Sequence, residues 1–305
     1  MDLSKYAAPL LLFGMFLTCF IAFCTRPMAD AGMSFMDIMF VRLSIASAGL
    51  LLIVLVAHHS LKPLKPNRKD IVMLVFFGIF KFLSDYTYIA SLDSINISLA
   101  TLLQNTAPYF VMVLCFFLFK DKVSRKILLI AMLGTFGCVL MAGAALFKGD
   151  MEPLGIVYAV ASAFCMSLYY IGNRMGKERG YSPAVFTFYL MFVSTLITVP
   201  FIDIGTMADA FSDISIALRA VVLGVVTTLI PYYIVAWSMK YLNPMIAAVI
   251  CVSEVFFAAM MGALYFHESM DIQDYIGIIM LASSIVLISR QTAIESREKA
   301  ESADP

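Results

Sequence analysis

Residues 71–92 read IVMLVFFGIFKFLSDYTYIASL. The run is long enough to cross a bilayer, which takes about 20 apolar residues for a ~30 Å hydrocarbon core. Lys81 nevertheless sits close to its middle, and Asp85 follows one helical turn later. A central charge in a spanning helix costs roughly 2.5–3.5 kcal/mol on insertion scales. Two of them need a reason. Either they neutralise each other as an i,i+4 pair or they face a polar cavity.

Working outward, the rest of the chain is of the same kind. Of its 305 residues 62% are hydrophobic and only 14% charged, against roughly 25% charged in an average globular protein. Ten apolar segments can be marked, near 7–28, 35–57, 71–92, 95–119, 126–147, 153–173, 182–202, 216–239, 244–266 and 272–290. Helices are the expected spanning form, because barrel strands would show alternation over about ten residues. The first run is longer than a typical signal-peptide core and is read as a retained helix. The polar, mixed-charge stretch 291–305 reads as a disordered tail.

Loop charge sets the orientation. One set of loops carries only Arg26, Lys148 and Arg219. The other set, with the termini, carries clusters such as Lys62, Lys65, Arg68 and Lys69, then Lys120, Lys122, Arg125 and Lys126, then Arg174, Lys177 and Arg179. The alternation predicts a cell-membrane protein with ten spans and both termini cytoplasmic. Net charge is zero, so no nucleic-acid partner is expected. The partners expected are the lipid bilayer, a small-molecule substrate and protons as a candidate coupling ion.

Sliding the chain by 147 residues exposes a repeat. Asn96-Ile97 falls on Asn243-Pro244, Ser91 on Ser238, Phe119-Lys120-Asp121 on Phe266-His267-Glu268, and Gly137 on Ser284. With one residue of slippage Arg26 meets Arg174 and Ser34 meets Ser182. The expected units are residues 1–147 and 148–290. Five spans is an odd number, so the second copy must insert upside down. Inverted repeats are an architecture of secondary transporters, with the substrate near the midplane.

The chain resembles the drug/metabolite transporter superfamily, in particular its ten-helix EamA-type members. Besides the overall plan, the resemblance rests on a helix-closing pattern. Pro108 is followed thirteen residues later by Asp121, and Glu254-Val255 is followed thirteen residues after Val255 by Glu268. The second copy has Val where the pattern has Pro. The resemblance implies a transporter of small metabolites, often an exporter, often of amino acids.

Candidate site residues follow from polar groups placed deep in apolar runs. Lys81, Asp85 and Tyr88, at i, i+4 and i+7, share one face of the third helix. They line a cavity or else form a structural ion pair. Glu254, with no basic residue within a turn, is a substrate or proton-coupling carboxylate, or it bonds across a helix interface or pairs with Lys81 or Arg42 from the other half. Arg42 could receive a carboxylate, snorkel outward, or pair with Asp37 at a poor i,i+5 spacing. Gln104 and Asn105 precede Pro108, which frees the Gln104 carbonyl; they offer substrate hydrogen bonds or satisfy the kink. Pro231 predicts a comparable kink, followed by Tyr232 and Tyr233, and Tyr86 and Tyr109 are further deep aromatics. The six cysteines lie in apolar runs and read as packing residues. No HExxH, GxSxG, P-loop or GxGxxG occurs, so no catalytic residue, cofactor or metal is assigned. The expectation is a non-enzymatic secondary transporter, an exporter of a small polar metabolite such as an amino acid by alternating access around a midplane site, with an exporter of cationic or aromatic drug-like compounds, or a non-transporting scaffold, as alternatives.

Overall fold

The computed structural model describes residues 6–60, 62–143, 152–265 and 271–301. Among the described residues ten helices are long and apolar enough to span a membrane: α1 Ala7–Asp30, α2 Phe35–Ala57, α3 Ile71–Leu92, α4 Ile97–Phe119, α5 Arg125–Ala142, α6 Pro153–Glu178, α7 Pro183–Phe201, α8 Ile214–Ser238, α9 Pro244–Tyr265 and α10 Ile272–Thr292. No strand occurs among the described residues. The fold is the expected ten transmembrane helices in two inverted five-helix repeats.

The repeat positions recur as matching structural roles. Asn96 caps α4 by accepting the Leu99 N–H at 2.8 Å, and Asn243 caps α9 by accepting the Met245 N–H at 2.9 Å. Ser34 and Ser182 cap α2 and α7 in the same way. Each side chain satisfies an orphan donor at a helix start, so the caps fix where each span enters the membrane.

Packing has the same two-fold logic. The strongest neighbours are α5 with α10, α3 with α6 and α2 with α7, while α1 lies along α8. Exchanging the halves maps α3–α6 onto α8–α1 and leaves α2–α7 and α5–α10 on themselves. The α5–α10 pair is close because glycines meet. A Cβ at Gly137 would stand 2.8 Å from the Gly277 carbonyl oxygen, and one at Gly277 would stand 2.6 Å from that of Gly137. Without a hydrophobic driving force between helices in lipid, such backbone approach supplies the dispersion contact that holds them.

Several spans are interrupted at mid-depth. α1 breaks between Thr18 and Ile21. α4 breaks at Asn105 and Thr106, with Pro108 in the first turn of the segment that follows. α9 breaks at Val252 without a proline, at the position that repeats Asn105. Before Pro231, α8 widens into a π-helical turn over Val225–Leu229, so the expected kink takes that form.

Two boundaries differ from the sequence reading. α6 continues through Asn173 and Arg174 to Glu178, because Lys, Arg, Met and Glu there favour helix. The last helix runs on to Glu301, through residues 291–301 of the stretch assigned to a disordered tail. Its Ala, Glu, Arg and Lys are helix formers. Lys148 and Phe266-His267-Glu268 lie outside the described residues. A short helix, Ile204–Ala210, also forms in the α7–α8 connection, which the apolar segments leave as a loop.

Candidate functional site

The charges of residues 71–92 meet partners from other helices. Lys81 is fully buried, and its ammonium donates to Asp85 Oδ2 at 2.5 Å. Arg42 Nη2 of α2 donates to the same oxygen at 2.7 Å. The Arg42 and Asp85 side chains each keep 15% exposure. Lys81 Nζ also stands 4.8 Å from the centroid of the Tyr232 ring on α8, a cation–π contact. Tyr232 is the repeat counterpart of Asp85, so equivalent positions of the two halves meet across the centre.

Glu254 closes the cluster from α9. It sits in the first turn after the Val252 break, where the partial positive charge of a helix N-terminus favours a carboxylate. Arg42, Asp85 and Lys81 are within its electrostatic reach, and Thr18, at the break in α1, stands beside it. Four ionisable side chains from α2, α3 and α9 therefore share one field. Two are cationic and two are acidic.

Polar capacity is left over. Arg42 Nε and the Tyr169 hydroxyl are buried with no hydrogen-bond partner among the described residues. Tyr169 on α6 packs edge-on against Tyr232, with centroids 5.5 Å apart. Buried polar atoms are normally satisfied, so such orphans call for a water or a ligand group.

The remaining candidates hold the frame around the cluster. Tyr88 shares a hydrogen bond with Thr101 Oγ1 at 2.9 Å and lies within reach of the Glu254 charge. Gln104 Nε2 donates to Ser162 Oγ of α6 at 3.0 Å, and Ser162 in turn donates to the Ser84 carbonyl at 2.8 Å, next to Asp85. Asn105 Nδ2 donates to the Thr101 carbonyl at 2.8 Å and so satisfies backbone at the break. Tyr86 points outward, stacked on Phe82 and 41% exposed, and Tyr109 bonds Thr135 of α5 at 2.8 Å. Neither reaches the cluster.

Arg42 does not pair with Asp37, whose carboxylate instead completes a capping box with Ser34 and accepts the Asp203 N–H at 2.7 Å. Tyr169 and Thr18 escaped the sequence reading. Both lie in apolar runs that look like ordinary packing, and only the mate of Tyr169, Tyr232, carried a signal.

A second polar group ties the halves together at the face bearing the termini. Asp121, which closes α4, pairs with Arg174 of α6 and accepts from Asn243 Nδ2 of α9 at 3.4 Å. The Arg174 guanidinium lies 3.8 Å from the centroid of the Phe119 ring and also holds Glu178 at 3.0 Å.

Comparison with known proteins agrees with this architecture. The family model described as "EamA-like transporter family" matches residues 5–143 and again residues 153–290, once for each half. An uncharacterized transporter of Archaeoglobus fulgidus is 27% identical over 74% of this chain and 78% of its own length. The uncharacterized transporter YdfC of Bacillus subtilis is 30% identical over 66% of this chain and 64% of its own. The uncharacterized inner membrane transporter YicL of Salmonella typhimurium is 24% identical over 84% and 85%. A crystal structure of another protein superposes with a TM-score of 0.75 over 94% of this chain and 97% of that one, at 16% identity. That likeness shows a shared fold.

Proposed function

We propose, proceeding from the premise that this chain belongs to the EamA-like transporter family, that it exports a small zwitterionic metabolite such as an amino acid by alternating access around the Arg42–Lys81–Asp85–Glu254 cluster. The chain is a multi-pass membrane transporter; substrate class, direction and coupling are the proposal. The loop charge bias supports the cell membrane with cytoplasmic termini.

The observation that carries the reading is the sharing of Asp85 Oδ2 by two cations. A substrate carboxylate would compete with Asp85 for Arg42, whose Nε is unsatisfied and whose planar fork suits bidentate recognition. The displaced Asp85 and the nearby Glu254 would then receive the ammonium. Charge cancels in the loaded site as it does in the empty one, so no net charge is left at mid-depth. Glu254 is also the group proposed to exchange a proton during the cycle. The aromatic pair Tyr169–Tyr232 favours a second reading, export of cationic or aromatic compounds, but Arg42 and Lys81 would repel a cation lacking a carboxylate.

The test is counterflow in proteoliposomes against a panel of amino acids, with aromatic amines as the contrast. The expected result is uptake of zwitterions, reduced at least tenfold by Lys81→Ala. Glu254→Gln should retain exchange but lose its dependence on pH. Unchanged uptake and pH profile in both variants would remove the site assignment, and preference for amines lacking a carboxylate would favour the second reading.

A further inference from the structure

We infer that the outer surface of α4 and α5 holds an anionic phospholipid, with an acyl chain in an apolar groove and the headgroup on Lys122, Arg125 and Lys126. The groove, of about 260 Å³, runs between Met112, Val113, Phe116 and Phe117 of α4 and the facing Val123 and Leu128. Phe116 and Phe117 are exposed, so the groove opens on the bilayer and not on the central cluster.

The charge at its mouth selects the headgroup. The turn from Lys120 to Lys126 carries four cations, all exposed, and none joins an ion pair among the described residues. The acid in this turn, Asp121, is turned away toward Arg174 and Asn243. Arg125 and Lys126 also occupy the first turn of α5, which contains no acidic residue and whose N-cap, Ser124, makes no side-chain cap bond. Two cations at the positive end of a helix repel it and each other. A phosphate there would meet both side chains and the free N–H groups of the first turn. Val123 lies in the groove lining while Lys122, Arg125 and Lys126 flank it, so chain and headgroup are reached by a single lipid. Basic clusters of this kind beside a span are where anionic lipids bind.

The experiment is native mass spectrometry of the detergent-purified full chain, offered phosphatidylglycerol and phosphatidylcholine of matched acyl chains. The expected outcome is retention of phosphatidylglycerol at about fivefold over phosphatidylcholine or more. The variant K122Q/R125Q/K126Q should bind both lipids equally. Val113→Trp, which fills the groove, should lower retention of both. The charge-preserving K122R/R125K/K126R should keep the preference, which separates loss of charge from loss of fold. Equal retention of the two lipids by the native chain, or an undiminished preference in the glutamine variant, would overturn the inference.

Discussion

Asp85 holds two cations on one oxygen, and that sets an order among substitutions at the centre. Removing it strands a fully buried Lys81 and leaves Arg42 unpaired, whereas removing Lys81 leaves Asp85 still bonded to Arg42. Breaking a buried ion pair from one side typically costs about 3–5 kcal/mol. Asp85→Ala should therefore sit near that range and Lys81→Met well below it. Melting temperatures of the two variants in one detergent check the order, and a Lys81→Met protein less stable than Asp85→Ala would contradict it. The half of this network on one helix is legible in the sequence, since Lys81 and Asp85 stand at i,i+4. Arg42 lies 43 positions from Asp85, and nothing local links them. Only the packing of α2 and α3 beside α7 brings them together, and periodicity along a single helix carries no information about it.

At the scale of elements, the chain relies on local hydrogen bonds where helices end and on glycine where they touch. Asp203 shows the first case. Its carboxylate accepts from Gly205 N–H at 2.9 Å and Thr206 N–H at 3.2 Å to start the helix Ile204–Ala210, while its own N–H ties that helix to the α2 cap. The Thr206 backbone N–H, then the Thr206 hydroxyl and the Gly205 N–H, hold this carboxyl below its ordinary 3.8. The folded state thus favours the ionised form. Its stabilisation is complete above the ordinary value and is lost as pH falls through the depressed one. Asp203→Asn should flatten the acid limb of a melting profile below about pH 4 and change little at pH 7, where Asn still caps. A parallel acid limb in the variant would count against the assignment. Gly137 shows the second case. A side chain there meets backbone of α10 at 2.8 Å, and backbone cannot rotate away. Gly137→Val should cost about 1–3 kcal/mol by overpacking, read as a lower melting temperature, with Gly143→Ala a poor control because its φ of +48° carries strain of its own. The capping residues show in the sequence as repeated Asn and Ser, but not as caps. The break in α9 does not show, because Val252 and Val255 carry no signal like Pro108; only its place in the repeat points to it.

At the scale of the whole molecule, two polar groups join the halves at different depths, and the alternating access proposed above requires at least one of them to open and close. The central cluster lies between the helices, with Lys81 fully buried and the Arg42 and Asp85 side chains each keeping 15% exposure. The Asp121–Arg174–Asn243 group lies at the face bearing the termini and joins α4 to α6 and α9, one helix from the first half and two from the second. Its pair is partly exposed, at 22% and 21% for Asp121 and Arg174, so it is held in water-accessible surroundings where an ion pair contributes little, about 0–1 kcal/mol for surface pairs. Under the proposed cycle a weak contact here would serve as a latch that releases at each turn, and a strong one would trap the transporter. Cys115 reports on it, since this fully buried thiol lies one turn inward of the latch, within electrostatic reach of both Arg174 and Asp121. In a protein whose other five cysteines are Ser, Asp121→Asn should raise the rate at which a water-soluble maleimide labels Cys115 severalfold. The charge exchange D121R/R174D should bring the rate back toward the parent by restoring the pair with reversed polarity. Equal labelling in the parent and Asp121→Asn would mean that the group merely decorates the rim. Fast labelling in both Asp121→Asn and the exchanged protein would mean that the local packing of Arg174 on Phe119, and not the ion pair, closes this end of the pathway.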